Sequence, residues 1–273
     1  VAYATCFVDL IFLKDVMTET LKPTFFGHGS PMNAIETNRY SQAWREYGRS
    51  IPTPRAVLAI SAHWYIGATA ITTMNVPRTI HDFYGFPQPL FDFQYPAPGD
   101  SEVAKEVIDC VKPLWVGSDE DTWGLDHGTW SILCHMFPEA NVPVLQLSID
   151  STKDFSYHFD LGRKLAALSE QGVLIMGSGN VVHNLRRIDW SSPDGVFDWA
   201  REFDLTVSGI LATDPKAILG IEDNKNYRLS SPTPDHFLPL VYLAGMAYET
   251  KSDISKIIEG FNYGSLSMAA YSL

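Results

Sequence analysis

Four histidines lie just after short apolar runs that are typical of buried strands: His28, His63, His183 and His236. Imidazole is the commonest side-chain ligand of transition metals, and its pKa near neutrality also suits proton transfer. In an open α/β sheet, ligands bind beyond the carboxyl ends of the strands, where loops from separate strands converge. The four histidines are therefore expected to meet at one edge of a sheet and to form a metal site.

Two of the four are the strongest candidate ligands. His28 occurs in Thr-Phe-Phe-Gly-His-Gly-Ser-Pro and His63 in Ile-Ser-Ala-His-Trp, so small residues beside each ring leave room for an ion. A single buried histidine is as well explained by a hydrogen bond to the backbone. Two histidines at equivalent strand ends favour metal binding.

The other two histidines allow more than one role. His183 follows Gly-Ser-Gly-Asn and could be a further ligand, or an acid/base group held near the metal. His236 follows Pro-Thr-Pro-Asp, where the prolines stiffen the chain and Asp235 could orient the ring. His236 could equally cap the apolar helix predicted after it.

Two more histidines are candidate substrate-binding residues. His127, in Gly-Leu-Asp-His-Gly-Thr-Trp, is predicted to open a helix, and the positive end of a helix disfavours imidazolium. A neutral ring that donates a hydrogen bond would suit orientation of a substrate. His81 lies in the Pro- and Gly-rich segment 75–99, which is either the wall or lid of a site or a surface excursion. Because that segment carries several phenylalanines, we expect it to lie against the pocket.

The elements that position these residues predict an α/β fold. Apolar runs bounded by Gly, Ser and Pro alternate with segments of helical period, and several runs are too continuously apolar to alternate faces. Such strands are typical of a sheet covered on both sides, so we expect one domain with a central mixed, largely parallel sheet flanked by helices. The predicted strands are 24–27, 56–61, 69–73, 142–149 and 172–178.

Composition narrows the functional classes. The 273 residues carry 20 Lys and Arg against 32 Asp and Glu, a net charge of −12 that disfavours binding to nucleic-acid phosphates. The three cysteines are widely spaced and odd in number, which favours a reducing, cytoplasmic setting over a disulfide framework. No run approaches the roughly 18 to 20 apolar residues that span a bilayer.

The predicted organisation is an N-terminal extension, residues 1–21, followed by a single catalytic domain, residues 22–273. Met17 with the following Thr-Glu-Thr resembles a natural start, so the preceding segment is expected to add little to the fold. The chain lacks the His-Glu-x-x-His, phosphate-loop and Gly-x-Ser-x-Gly motifs of other hydrolytic and nucleotide-binding classes.

Eight motifs in one order resemble the class III extradiol ring-cleavage dioxygenases, and most closely their 4,5-DOPA extradiol dioxygenase branch. Each motif alone is weak, but the series spans nearly the whole chain. The motifs are Gly-His-Gly-Ser-Pro-Met-Asn at 27–33, Ser-Ala-His-Trp at 61–64, Thr-Ile-His-Asp-Phe at 79–83, Tyr-Pro-Ala-Pro-Gly at 95–99, Gly-Leu-Asp-His-Gly-Thr-Trp at 124–130, Gln-Leu-Ser-Ile-Asp at 146–150, Ser-Gly-Asn-Val-Val-His-Asn at 178–184 and Pro-Thr-Pro-Asp-His at 232–236.

The resemblance implies a non-haem Fe(II) enzyme that uses O2 to open a catechol ring, such as that of DOPA or caffeate, to a semialdehyde. It implies that His28, His63 and His236 bind the metal, that His183 is the acid/base residue, and that His127 lies close to the substrate or oxygen. A histidine stands where the better-known pattern has a carboxylate as third ligand. Zinc tolerates an all-histidine set, so purified protein is expected to carry zinc, with His183 as a possible fourth ligand.

Two alternatives stay open on the sequence alone. A zinc-dependent hydrolase would use the same histidines to activate water. A non-enzymatic metal-binding or interaction protein could keep the fold without the chemistry. Retention of both His127 and His183 argues against the second alternative, because structural metal binding needs neither residue.

Overall fold

A mixed sheet of eight strands runs through the computed structural model, which describes residues 21–273. Two further short strands form a separate hairpin. In chain order the strands are β1 Thr24–Gly27, β2 Ala56–Ile66, β3 Ala70–Thr72, β4 Gly117–Asp119, β5 Val144–Asp150, β6 Val173–Gly179, β7 Ser255–Ile258, β8 Phe261–Asn262, β9 Leu266–Ser267 and β10 Ala270–Ser272.

The centre of the sheet is parallel and its margins are mixed. The strand order is β4-β3-β5-β2-β6-β1-β10-β7. β5, β2, β6 and β1 run parallel to one another, while β10 and β7 add antiparallel strands at one side and β3 is antiparallel to β5 at the other. The predicted α/β class with a largely parallel sheet is confirmed.

Eight α-helices lie in the described part of the chain, joined by four short 3-10 helices. Asp100 caps the third helix, because its carboxylate accepts from the amides of Glu102 and Val103. The α-helices are α1 Arg39–Ser50, α2 Gln88–Phe91, α3 Ser101–Cys110, α4 His127–Met136, α5 Phe155–Leu165, α6 Asp198–Thr213, α7 Tyr227–Ser230 and α8 Leu238–Thr250.

Apolar cores cover both faces of the sheet. Successive residues of β2 face opposite sides: Leu58 and Ile60 join the core with α3, α5, α6 and α8, and Val57 and Ala59 join the core with α1 and α4. Burying each Leu or Ile side chain contributes about 1.5–3 kcal/mol. Burial on both faces explains why the central strands are continuously apolar in sequence.

The predicted N-terminal extension, residues 1–21, falls outside the described residues except for Leu21, which is buried. Within residues 21–273, no helix combines the length and the apolar character needed to cross a membrane.

Candidate metal centre

Five histidines predicted from the sequence lie together at the carboxyl edge of the central strands. The ring centroid of His28 is 5.0 Å from that of His63, 5.6 Å from that of His127 and 5.3 Å from that of His236. The ring of His183 lies on that of His236, with centroids 3.5 Å apart and an interplanar angle of 4°. The fold therefore brings every predicted metal ligand into one cluster.

Two parallel strands on either side of β6 supply the first two rings. His28 directly follows β1, and its backbone amide donates to Gly179 at the end of β6. His63 lies inside β2, which continues to Ile66 instead of ending at Ser61 as predicted. The pairing of β2 with β5 shifts register between Ile60 and Tyr65, and such irregular pairing re-aims side chains towards a site.

His127 reaches the cluster because it is the first residue of α4. The buried carboxylate of Asp126 caps this helix by accepting from Thr129 N at 3.1 Å, and it also accepts from Ser61 Oγ at 2.7 Å. A Cβ at Gly128 would lie 2.7 Å from Ser61 Oγ and 2.9 Å from His63 Cδ2, so only glycine permits this close approach of α4 to β2.

His236 does not follow a strand, and the expectation that it would is wrong. It lies between α7 and α8, in the proline-rich connection. Its carbonyl oxygen accepts from Asn180 N at 2.9 Å, just past β6, and a Cβ at Gly179 would lie 2.1 Å from that oxygen. The ring thus reaches the strand edge through a backbone contact that the local sequence does not indicate.

Hydrogen bonds fix which nitrogen of His28 carries the proton. Ser178 Oγ donates to the carbonyl oxygen of Gly128 at 2.5 Å, so it must accept from His28 Nδ1, which lies 2.9 Å away. Burial, reinforced by the neighbouring histidines, lowers the pKa of His28 well below its ordinary value. His28 is therefore neutral, with a lone pair on Nε2.

One carboxylate, that of Asp82, holds two rings. Asp82 Oδ2 lies 2.9 Å from His63 Nδ1, and Oδ1 lies 2.8 Å from His127 Nδ1. Burial opposes ionisation of Asp82, but the hydrogen bonds from His127 and His63 outweigh it and hold its pKa well below the usual range. Sequence reasoning missed Asp82, although an acid next to His81 was an available signal within segment 75–99, called the aromatic segment below because of its phenylalanines.

The electrostatic surroundings of His63 and His127 differ. Burial opposes protonation of His63, but the hydrogen bond and charge of Asp82 outweigh it and raise the pKa of His63. Burial and the neighbouring His63 lower the pKa of His127. A neutral His127 that donates from Nδ1 to Asp82 has an Nε2 that accepts hydrogen bonds.

Asp235 orients His236, as expected. Its carboxylate accepts from His236 Nδ1, and His236 Nε2 is buried without a hydrogen-bond partner in residues 21–273. Burial lowers the pKa of His236, which leaves the ring neutral. An unpaired buried nitrogen costs free energy unless something binds it, so Nε2 is available to a metal ion.

His183 is held differently from the other four rings. Its backbone amide donates to Ser230 O at 2.8 Å, while its ring is half-buried on the face of His236. Burial, followed by the repulsion that His236 would exert in its protonated form, lowers the pKa of His183 well below its ordinary value. A neutral ring can accept a proton at the edge of the cluster.

The ring nitrogens converge at a spacing that suits one ion. His28 Nε2 and His63 Nε2 are 3.1 Å apart, and each bears a lone pair when its Nδ1 donates to Ser178 or Asp82. Two nitrogens bound to one ion at about 2.0–2.1 Å, with angles of about 90–110°, lie about 2.8–3.4 Å apart. One nitrogen each from His28, His63 and His127 also lie within 4.8 Å of one another.

The structure does not bring His81 into this cluster. His81 Nε2 lies 2.8 Å from the carbonyl oxygen of Phe93, and its ring centroid is 5.8 Å from those of Phe83 and Trp130. The ring centroid of Phe83 in turn lies 5.6 Å from that of His127. The segment 75–99 thus lies against the cluster through Asp82 and Phe83, with His81 behind them.

Comparisons with known proteins cover nearly the whole described chain. The family described as "Catalytic LigB subunit of aromatic ring-opening dioxygenase" matches residues 26–272. A protein of Escherichia coli (strain K12) named "4,5-DOPA dioxygenase extradiol" is 44% identical over 264 residues, which are 94% of this chain and 96% of that protein. A protein of the same name from Beta vulgaris is 37% identical over 263 residues, which are 93% of this chain and 97% of that protein.

The fold has a close structural neighbour. The crystal structure of an uncharacterized Escherichia coli K12 protein superposes with a TM-score of 0.81 and 37% sequence identity. The match covers 93% of this chain and 99% of that protein.

Proposed function

The chain belongs to the LigB family of aromatic ring-opening dioxygenases, and from that premise we propose that it opens a DOPA-like or caffeate-like catechol with a ferrous ion bound by His28, His63 and His236. The family and its relatives make the protein an extradiol dioxygenase, an oxidoreductase with a metal cofactor, a small aromatic substrate and O2. They do not favour the zinc-hydrolase and non-enzymatic alternatives.

The observation that carries the proposal is the pair of facing Nε2 atoms of His28 and His63. Two lone pairs 3.1 Å apart repel each other, so a positive charge must lie between them: a proton on His63, whose pKa is raised, or a metal ion that displaces this proton. Neutral imidazole is also the protonation state that binds metal, and burial keeps His28 neutral. The residues present therefore fit a bound transition metal.

Two rings compete for the third position. His127 has a nitrogen within 4.8 Å of those of His28 and His63. His236 has a buried Nε2 without a partner in the described residues, while its Nδ1 is held by Asp235. An acid holds Nδ1 in both rings, so we assign His236 to the metal because its Nε2 is buried and unpaired in the described residues. His127 then faces the substrate.

The metal at this site is proposed to be Fe(II) in the active enzyme. A ferrous ion would supply the path by which electrons pass from the catechol to O2. An all-histidine set also suits zinc, so zinc is expected in purified protein, with His183 as a fourth ligand in that form.

His183 is proposed as the acid/base residue. Its ring is neutral, half-buried and stacked on the proposed ligand His236, so it can take a proton from a catechol hydroxyl and return one later. His127, whose Nδ1 is held by Asp82, offers Nε2 as an acceptor for the second hydroxyl. Substrate binding by His81 would act through the neighbouring Phe83.

The acidic composition supports a small-molecule partner and no nucleic-acid or membrane partner. The widely spaced cysteines support a cytoplasmic location. We treat residues 22–273 as one catalytic domain, because a single sheet runs from β1 to β10.

Reconstitution tests this function. The metal is removed with a chelator, Fe(II) or Zn(II) is added anaerobically, and DOPA, caffeate or catechol is mixed in before O2 is admitted. Oxygen uptake with a yellow ring-opened product is expected with Fe(II) and not with Zn(II). Absence of uptake with every catechol in the Fe(II) protein would refute the proposed substrate class and metal.

A further inference from the structure

A single carboxylate serves two rings that come from different parts of the fold. Asp82 lies in the segment 75–99, whereas His63 belongs to β2 and His127 opens α4. Each carboxylate oxygen lies within 2.9 Å of one Nδ1 atom, and Oδ1 also accepts from the backbone amide of His127 at 3.2 Å. The side chain of Asp82 is only 17% exposed, so water competes weakly for these bonds.

The chemistry of a carboxylate fixes the protonation of both partners. An ionised carboxylate only accepts hydrogen bonds, so each Nδ1 that contacts Asp82 must carry the proton. A neutral ring protonated on Nδ1 has its lone pair on Nε2. The nitrogen that faces the cluster is thereby prepared to bind a metal in His63 and to accept a hydrogen bond in His127.

We propose that Asp82 is a positioning residue whose two oxygens together fix the tautomer and orientation of His63 and His127. One side chain of the aromatic segment then sets a metal-binding nitrogen and a substrate-facing nitrogen at once. The inference rests on the proposed function only in treating His63 as a ligand, because the tautomers can be measured without metal or substrate.

The segment around Asp82 is itself anchored on both sides. His81 contacts the carbonyl oxygen of Phe93 through Nε2, and the ring of Phe83 lies 6.1 Å from that of Trp130. Asp82 lies between these two anchors. The aromatic segment therefore holds the carboxylate against the two rings, beyond forming a wall beside them.

Asp235 provides a matched comparison within the same site. Its side chain is also 17% exposed and its carboxylate also contacts an Nδ1 atom, but the ring it holds is His236 alone. An amide at this position keeps one acceptor oxygen, which is sufficient for one ring. An amide at position 82 has one acceptor oxygen for two rings, and its NH2 group would meet the second Nδ1.

The experiment compares Asp82→Asn with Asp235→Asn in the full chain. Removal of an outer-shell partner typically costs 10–100-fold in metal affinity. We expect Asp82→Asn to weaken Zn(II) binding by about that range, and Asp235→Asn to weaken it by less than about tenfold, both measured by competition with a chromophoric chelator. Equal losses would overturn the proposal, since they would mean that negative charge matters and the double contact does not.

Imidazole tautomers give a readout that activity cannot mimic. In metal-free, 15N-histidine-labelled protein, two-bond 1H–15N correlations distinguish a proton on Nδ1 from one on Nε2. Wild type is expected to show His63 and His127 protonated on Nδ1, and Asp82→Asn is expected to move one of them to Nε2. Either ring protonated only on Nε2 in wild type would overturn the proposal, even if the variant failed to fold.

The two proposals fail separately. Wild-type protein without dioxygenase activity but with both Nδ1 tautomers would refute the proposed substrate and metal and leave the role of Asp82 standing. Active protein in which Asp82→Asn retains wild-type tautomers and zinc affinity would refute the role of Asp82 and leave the proposed substrate and metal standing.

Discussion

Buried histidines in this protein occupy two kinds of surroundings. At the carboxyl edge of the sheet, His28 has three other imidazoles with ring centroids within 5.6 Å. In the helical layer, His158 of α5 is fully buried, its Nδ1 lies 2.9 Å from Tyr242 Oη, and its aromatic neighbours are Tyr157 and Tyr242. Burial lowers the pKa of both His28 and His158, yet only the surroundings of His28 resemble a metal site.

The difference shows which property marks the site. His158 Nε2 and His135 Nδ1 are buried without partners in the described residues, just as His236 Nε2 is. An unpaired buried nitrogen alone therefore does not identify a ligand. In the histidine cluster at the sheet edge, called the edge cluster below, Ser178, Asp82 and Asp235 hold the Nδ1 atoms while the Nε2 atoms converge. That combination identifies a metal centre.

The sharpest test of the comparison is to remove one ring from each setting. His63→Ala is expected to reduce the iron content of reconstituted protein from about one atom per chain to near zero and to abolish turnover, because it deletes a convergent nitrogen. Iron analysis and oxygen uptake are the measurements. His158→Gln, which can still bond to Tyr242, is the control and is expected to keep the metal. Equal metal loss in the two variants would contradict the distinction.

His183 tests whether every ring of the edge cluster has the same role. His183→Ala is expected to retain Fe(II) but to lower kcat by about 10²–10⁴-fold, the usual contribution of a general acid/base. The measurements are iron content and steady-state oxygen uptake. Unchanged turnover would remove the residue from the proton-transfer role, and loss of iron would make it a ligand.

The third ligand separates His236 from His127. His236→Ala is expected to weaken Fe(II) binding by more than the roughly 10–100-fold that loss of an outer-shell partner costs. His127→Ala is expected to keep the metal and to change KM and kcat for the catechol. Fe(II) titration of both metal-free variants measures the difference. The opposite order of affinities would place His127 on the metal, in line with its nitrogen lying within 4.8 Å of those of His28 and His63.

The sequence predicts the elements better than the contacts between them. The run predicted at 172–178 is the strand Val173–Gly179, because burial on both faces leaves a continuous apolar signal. The run predicted at 56–61 continues to Ile66, because irregular pairing around His63 interrupts the apolar pattern without ending the strand. Such boundaries depend on the partner strand, which a local pattern does not contain.

The positions of the candidate ligands were predictable only in part. His28 and His183 could be placed from the strands that precede them, whereas His236 reaches the edge through its carbonyl contact with Asn180. Asp82 contacts His127, which is 45 positions away in the chain. Which acid meets which ring is decided by tertiary packing, so composition and spacing could not select Asp82.

The smallest expected effect concerns His158 and the pH dependence of stability. Burial lowers the pKa of His158 to about 4, whereas an unfolded chain binds this proton near pH 6.5. Because the unfolded state binds more protons, the contribution to stability is complete above about pH 6.5 and is lost as the pH falls through about 4. At about 1.4 kcal/mol per pH unit over the interval from about pH 6.5 to about pH 4, the loss is at most about 3.5 kcal/mol.

Urea unfolding of metal-free wild type and His158→Gln between pH 7 and pH 4 measures this loss. The neutral rings of the edge cluster contribute to the pH dependence of both proteins, so the difference between the two curves isolates His158. The variant is expected to lose less stability on acidification than wild type. Parallel curves would mean that His158 titrates near its ordinary pKa. Burial of an isolated ring would then not lower its pKa as it does in the histidine cluster.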